Sequence, residues 1–239
     1  MITLLLAVVL SLTCGCHRTG GVTTGMNTAE SIMETAPDSA LSILRTIDSS
    51  KIPSEGEKAR FALLMSQALD KNYIDVTDDS LIKRAHDYYA HGNDRFRSML
   101  SKYYYARVLY NAQRYDESIV LTLEALDLNE STDYLWDARI VELMADIYHQ
   151  CFLYDLEIAK IKRAISSFRK SGRPRNVAFS RCDLAVVMYA NDDYLPALAL
   201  MDSVRAEATI SDDSILLAHS LSGLMKINNA LGRFSDAKK

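Results

Sequence analysis

Glycine and proline are scarce in this 239-residue chain, which contains nine glycines and four prolines. Strand-rich folds need many turn residues between short strands, so this scarcity excludes a typical β-sandwich or β-barrel. The chain is long enough to bury a substantial core without metals or disulfides. Its composition therefore predicts an all-α protein of long helices joined by short turns.

Motifs of catalysis and metal binding are also absent from the sequence. It contains no glycine pattern that cradles phosphate, no Gly-x-Ser-x-Gly elbow and no His-Glu-x-x-His motif. None of the five histidines stands four residues from another histidine or from a cysteine, which excludes the usual helical spacing of metal ligands. We therefore expect no enzymatic activity, no metal and no cofactor.

Clusters of basic residues are missing as well. The net charge is −4, and no run of basic residues is longer than the pairs Lys162-Arg163 and Lys238-Lys239. Proteins that bind nucleic acid usually carry a basic patch or stripe. The sequence therefore argues against DNA or RNA as the main partner.

An apolar run near the N-terminus predicts export from the cytoplasm. Residues 4–12 read LLLAVVLSL, about half of the roughly 20 apolar residues that a membrane-spanning helix needs. A run of this length is typical of the apolar region of a signal peptide.

The residues after this run, 12–16 (LTCGC), resemble a bacterial lipobox. The resemblance implies cleavage after Gly15 and lipidation of Cys16, with a signal peptide over residues 1–15. Residues 16–27, polar and rich in glycine, then predict a flexible tether. We expect attachment to a membrane through the N-terminal lipid, as a periplasmic or outer-membrane lipoprotein of the bacterial cell envelope. The alternative is an ordinary signal peptide with incidental cysteines.

From residue 28 onward, apolar residues recur at helical spacing in segments separated by turn signals. The pattern predicts eleven helices over residues 28–35, 38–48, 54–70, 79–91, 94–112, 115–129, 133–151, 154–171, 174–190, 194–208 and 213–231.

Four of the predicted helix corners align on one aromatic residue. Tyr115, Tyr154, Tyr194 and Phe234 follow one another at spacings of 39, 40 and 40 residues. Small residues recur nine positions before and ten positions after these aromatics, where helices that pack closely need short side chains. They are Ala106, Ala145 and Ala185 before the first three corners, with Met225 before the fourth, and Ala125, Ala164 and Val204 after them. This regularity predicts an internal helical repeat.

The repeat resembles the tetratricopeptide repeat (TPR), whose units carry a small residue in the first helix, an aromatic at the corner and small residues in the second helix. The resemblance implies a right-handed helix-turn-helix solenoid over residues 28–239, with a period of about 40 rather than 34 residues. A HEAT-like α-solenoid is the alternative fold. The last repeat, with its corner at Gly232-Arg233-Phe234, is incomplete, which implies self-association through this end or a longer natural protein.

In a TPR array the first helices line a concave groove, so the resemblance also implies a binding surface for a protein, a peptide or a glycan. The register places nine candidate binding residues on this surface: Tyr103, Arg107, Tyr110, Asn111, Glu142, Asp146, His149, Gln150 and Tyr189. Aromatic side chains interleaved with polar groups suit such recognition.

The sequence favours a non-enzymatic, lipid-anchored scaffold. Two alternatives stay open: the N-terminal sensory part of a longer TPR-bearing membrane regulator, and a lipoprotein of outer-membrane assembly or nutrient uptake.

The repeat register also predicts that Cys151 and Cys182 are unpaired. They stand nine helical positions apart on neighbouring parallel helices, which separates them by about 13 Å at 1.5 Å per residue. Disulfides need Cα atoms within about 7 Å of each other.

Overall fold

The computed structural model describes residues 21–233, and this part of the chain is helical throughout, without a β-strand. Helix α1 covers residues 21–32, and a short 3-10 helix covers Ser49–Lys51. The other helices are α2 (Pro37–Arg45), α3 (Glu55–Lys71), α4 (Ser80–Tyr89), α5 (Arg95–Asn111), α6 (Tyr115–Leu128), α7 (Tyr134–Gln150), α8 (Tyr154–Lys170), α9 (Pro174–Ala190), α10 (Tyr194–Ile210) and α11 (Ser214–Ala230). The predicted signal peptide, Cys16 and the C-terminal residues 234–239 lie outside the described residues.

Residues 21–27 already belong to helix α1, whereas the sequence pattern predicts a flexible tether there and a helix only from residue 28. The reason is tertiary packing. Met26, Ala29 and Met33 are buried in one hydrophobic cluster with α2 and α3, and Val22 packs against its edge. This apolar stripe stabilises a helix in a segment whose threonines and glycines disfavour one. Each of the other ten helices begins and ends within three residues of its predicted bounds.

The chain divides into two compact units, the first ending at Leu128 and the second beginning at Asn129. In the first unit, α3 packs against α2, α4 and α5, and α5 pairs with α6. In the second unit, α7 pairs with α8 and α9 pairs with α10, while α11 packs against both α9 and α10. Each unit is therefore built from consecutive antiparallel helices.

The buried small residues confirm the predicted repeat register. Ala106 and Ala125 are buried in the first unit. Met225, before the fourth corner, is 45% exposed, but the counterparts around the corners at Tyr154 and Tyr194 are buried in the second unit. These counterparts are Ala145, Ala164, Ala185 and Val204. Short side chains at these crossings let the two helices of a hairpin approach closely.

The four corners that carry an aromatic close in the same way. Gln113, Phe152, Asp192 and Gly232, each two residues before a corner aromatic, adopt positive φ angles between 58° and 70°. The next amide donates back to a carbonyl five residues earlier, as from Leu153 to Tyr148. This is a Schellman closure, which satisfies the free carbonyls at a helix C-terminus. Three of the four positions hold a residue other than glycine, so the local sequence gives no sign of the left-handed conformation there.

The two cysteines of the described region are free thiols. Cys151 is exposed and Cys182 is buried, which confirms that they are unpaired. Among residues 21–233 no helix combines the length and the apolar character that crossing a membrane requires.

Candidate functional site

Three of the nine candidate residues occupy the same repeat position, five residues before a corner tyrosine. Tyr110 packs against Tyr115 and Tyr189 packs against Tyr194, each pair with ring centroids 5.7 Å apart. His149 takes this position in α7, 6.4 Å from the ring of Tyr154. Tyr110 and Tyr189 therefore each pack against the tyrosine of their own corner and help to hold it in place. The equivalent position in α7 differs because it holds a histidine instead of a tyrosine.

In the first unit the predicted groove residues are engaged in contacts that hold the fold. Nε of Arg107 lies 2.8 Å from Oδ1 of Asp70 on α3, and Nδ2 of Asn111 donates to the carbonyl of Val76 at 3.3 Å. Tyr103 is only 8% exposed, and its ring packs edge-on against Tyr104. The structure thus places Tyr103 in the core instead of on an accessible face.

The first unit also contains a cavity of about 160 Å³ that the sequence does not predict. Arg60, Arg97 and Glu30 are among the residues that line it. Arg60 and Arg97 both pair with Glu30, and Arg97 also pairs with Asp94 at 2.8 Å. Because these ion pairs join α1, α3 and α5, we assign the charged groups at this cavity to the stability of the unit.

In the second unit the candidates on α7 form part of a crowded group of carboxylates. Glu142, Asp146 and His149 follow one another at spacings of four and three residues, which places them on one face of the helix. Oε1 of Glu142 accepts a hydrogen bond of 2.8 Å from the hydroxyl of Ser180 on α9. The predicted residues Gln150 and Tyr189 lie at the C-terminal ends of α7 and α9. The structure therefore brings the α7 candidates together against α9.

Burial and mutual repulsion shift the acidity of this group. Desolvation, with smaller contributions from the charges of Asp183 and Asp146, raises the pKa of Glu142 to about 8. Desolvation and the charges of Asp146 and Glu157 raise the pKa of Asp183 to about 7. Asp183 is nonetheless accessible to water. The group therefore combines an accessible carboxyl on α9 with the more buried Glu142 on α7.

Glu157, the most unusual member of this group, is not among the residues that the sequence predicts. This residue of the first turn of α8 is 6% exposed, and its Oε1 lies 3.0 Å from Nδ1 of His149. Its Oε2 is buried and has no hydrogen-bond partner among the described residues. Desolvation raises the pKa of Glu157, and the charge of His149 opposes this shift.

Alignment of the repeats is the signal that could have identified Glu157. It stands three residues after its corner tyrosine, where the neighbouring repeats have Ser118 and Ala197. Both of those residues are fully buried. A carboxylate at a position that otherwise holds a small buried residue costs stability, and such costs are concentrated at functional sites. We refer to Glu142, Asp146, Glu157, Asp183 and His149 together as the acidic recess.

The acidic recess is not arranged as a metal centre. Within residues 21–233, no three histidine, cysteine, aspartate or glutamate side chains converge closely enough to hold a metal ion. The acidic recess presents carboxyls from α7, α8 and α9, of which those of Asp146 and Asp183 are exposed.

Comparison with solved structures shows the class of fold. BtubC (BKLC) from P. vanneervenii superposes with a TM-score of 0.65 at 14% sequence identity, over 94% of this chain and 87% of its own. The apo form of RapI superposes with a TM-score of 0.63 at 16% identity, over 91% of this chain and 93% of its own. A protein from Podosopora anserina, described as a kinesin light chain with nearly identical TPR-like repeats, gives 0.62 at 16% identity, over 75% and 89% of the two chains.

The chain has a TPR-like fold. This confirms the helical repeat that the corner aromatics predict. No protein-family model matches the sequence, and no curated protein matches it either. At 14–16% identity the structural likeness extends to the fold and not to what any of these proteins binds.

Proposed function

We propose that this protein is a non-enzymatic TPR-like scaffold that binds a segment of a partner protein or peptide on the surface of the second unit formed by α7 and α9. The acidic recess is the observation that carries this proposal. The burial of its carboxylates lowers the stability of the free protein. A partner that contacts these carboxylates would offset the loss.

Site-specific photo-crosslinking tests this proposal. A photoreactive phenylalanine would replace Tyr189 or Gln150 beside the recess and, as matched controls, Lys162 or Thr209. The two control residues are exposed on the second helices α8 and α10. We expect a discrete crosslinked partner in cells from the first two positions and none from the controls. Equal crosslinking at all four positions would place the binding surface elsewhere.

We further propose that the scaffold is attached to a bacterial membrane through lipid on Cys16. The support is the resemblance of residues 12–16 to a lipobox after an apolar run of signal-peptide length. Stable attachment through lipid requires more than one acyl chain, as mature lipoproteins carry. We expect Cys16→Ser to release a folded protein from membranes, whereas the matched variant Cys14→Ser stays attached. Retention of the Cys16→Ser protein in the detergent phase would contradict the anchor.

A further inference from the structure

Two carboxylates of the acidic recess, those of Asp183 and Glu157, lack a full set of partners among the described residues. Asp183 makes no hydrogen bond or ion pair with other described residues. One oxygen of Glu157 faces His149, while the other is buried without a partner among residues 21–233. Buried polar atoms in native proteins almost always have a partner, so an orphaned carboxylate oxygen indicates a missing contact.

The orphaned oxygen belongs to a carboxylate that interacts with recess residues on both α7 and α9. Glu157 extends from α8 to His149 on α7, and its charge acts on Asp183 of α9. Its carboxyl group therefore lies near both of the helices that carry the other recess residues. Of these two carboxyls, that of Asp183 is accessible to a positive group from solvent, and that of Glu157 lies close enough for its charge to act on Asp183.

We infer that the acidic recess binds the lysine or arginine side chain of a partner polypeptide. The inference rests on the proposed function and specifies the chemistry of the partner. An ammonium or guanidinium group carries three or five N–H donors, enough to contact several carboxylates that do not converge on one point. A hard metal ion requires converging oxygens at about 2.0–2.6 Å, which the described residues do not provide.

Cation binding at this site is coupled to proton release. Near neutral pH, Glu142 and Asp183 are partly protonated, since their pKa values are about 8 and about 7. A bound cation favours the ionised forms, so affinity rises with pH between about 6 and 8. The charged groups that act on these carboxyls come from all three helices: Arg139, Asp146 and His149 on α7, Glu157 on α8 and Asp183 on α9.

The test uses blocked tripeptides and the purified full chain. Ac-Ala-Arg-Ala-NH₂ and Ac-Ala-Lys-Ala-NH₂ are titrated while NMR follows the side-chain carboxyl signals of Glu142, Asp183 and Glu157. The citrulline tripeptide, which has nearly the shape of the arginine one but no charge, is the matched ligand control. We expect saturable shifts with at least one of the two cationic peptides, roughly fivefold tighter binding at pH 8 than at pH 6, and no shifts with citrulline.

Two variants localise the binding. Asp183→Asn and Glu157→Gln each remove one charge without changing shape, and we expect either to weaken binding about tenfold, as for loss of one charge-assisted contact. Asp155→Asn is the matched control, because Asp155 is an exposed acid in the same first turn of α8. It should bind normally. Circular dichroism confirms that all three variants are folded.

Three results would overturn the inference. They are shifts of equal size with citrulline, no saturable shift with either cationic peptide, and displacement of the peptide by Mg²⁺ or Ca²⁺ at lower concentration. The crosslinking test distinguishes this failure from failure of the proposed function, because it requires no charged ligand. Suppose that crosslinks at Tyr189 persist in the Asp183→Asn protein while no tripeptide binds. The proposed binding of a partner is then supported, and the proposed specificity for a cation is wrong.

Discussion

The two units differ in how the carboxylates near the predicted groove residues are paired. In the first unit, the carboxylates of Asp70 and Asp79 pair with Arg107 and Arg114 at 2.8 and 3.0 Å. In the second unit, burial raises the pKa values of Glu142 and Asp183, and the charges of neighbouring acids add to both shifts. Similar helical hairpins thus place ion-paired carboxylates beside the predicted groove residues in one unit and carboxyls of raised pKa in the other.

The largest effect should come from transferring the unusual feature of the second unit to the first. Ser118 is the counterpart of Glu157, is fully buried and donates to the carbonyl of Ala106 at 2.8 Å. The residue corresponding to His149 is Tyr110, so a carboxylate at 118 has no imidazole beside it. We expect Ser118→Glu to lower the free energy of unfolding by about 3–5 kcal/mol.

Urea denaturation followed by circular dichroism measures this loss. Ser118→Ala is the control, because it removes only the hydrogen bond and should cost about 1 kcal/mol. If the glutamate variant is no less stable than the alanine variant, the first unit tolerates an acidic group as well as the second, and the contrast between the units disappears.

A smaller effect should appear in the pH dependence of stability. The unfolded chain exposes Glu142 to water, where a glutamate has its ordinary pKa of 4.5, whereas burial in the folded protein raises the pKa to about 8. The folded state therefore binds more protons between these values, and the free energy of unfolding falls as pH rises from about 5 to 8. We expect Glu142→Gln to flatten this slope and to be more stable than the wild type by about 1–2 kcal/mol at pH 8.

Urea denaturation at pH 5, 6, 7 and 8 measures this slope for the wild type and for the Glu142→Gln variant. Asp116→Asn in the first unit is the control, because Asp116 is exposed and its removal should leave the slope unchanged. A wild-type slope that the Glu142→Gln substitution does not alter would show that this carboxyl is not the group that titrates.

The smallest effect should be one that the two units share. Gln113 and Phe152 occupy the same turn position at positive φ, 60° and 58°. Glycine adopts this conformation without steric cost, so we expect Gln113→Gly and Phe152→Gly each to raise the free energy of unfolding by about 0.5–1 kcal/mol. The matched alanine variants should give no gain. A gain in one unit alone, measured by thermal unfolding, would show that the corners are not equivalent.

Much of the fold is predictable from the sequence because the corner tyrosines and the buried alanines repeat at nearly fixed intervals. The start of α1 is not predictable in this way. Local propensity indicates a tether there, whereas the packing of Met26 and Met33 makes a helix. The turns were located correctly by their aromatics, although residues such as Phe152 give no compositional sign of a left-handed conformation.

The candidate site was predicted only in part, for a different physical reason. Glu142, Asp146 and His149 share a face of one helix, which spacing alone reveals. Asp183 and Glu157 join them through the packing of three helices. In the sequence, Glu157 resembles an ordinary acidic residue that stabilises a helix N-terminus. Its burial becomes visible only when the repeats are superposed.

The two cysteines of the described region differ in chemical reactivity. Burial raises the pKa of the Cys182 thiol to about 12, so almost none of it is thiolate at neutral pH, whereas Cys151 is exposed two residues from His149. A thiol-reactive fluorophore would therefore label Cys151 and spare Cys182. The end of α7 thus carries a natural attachment point for an optical probe, close enough to the recess to report when it is occupied.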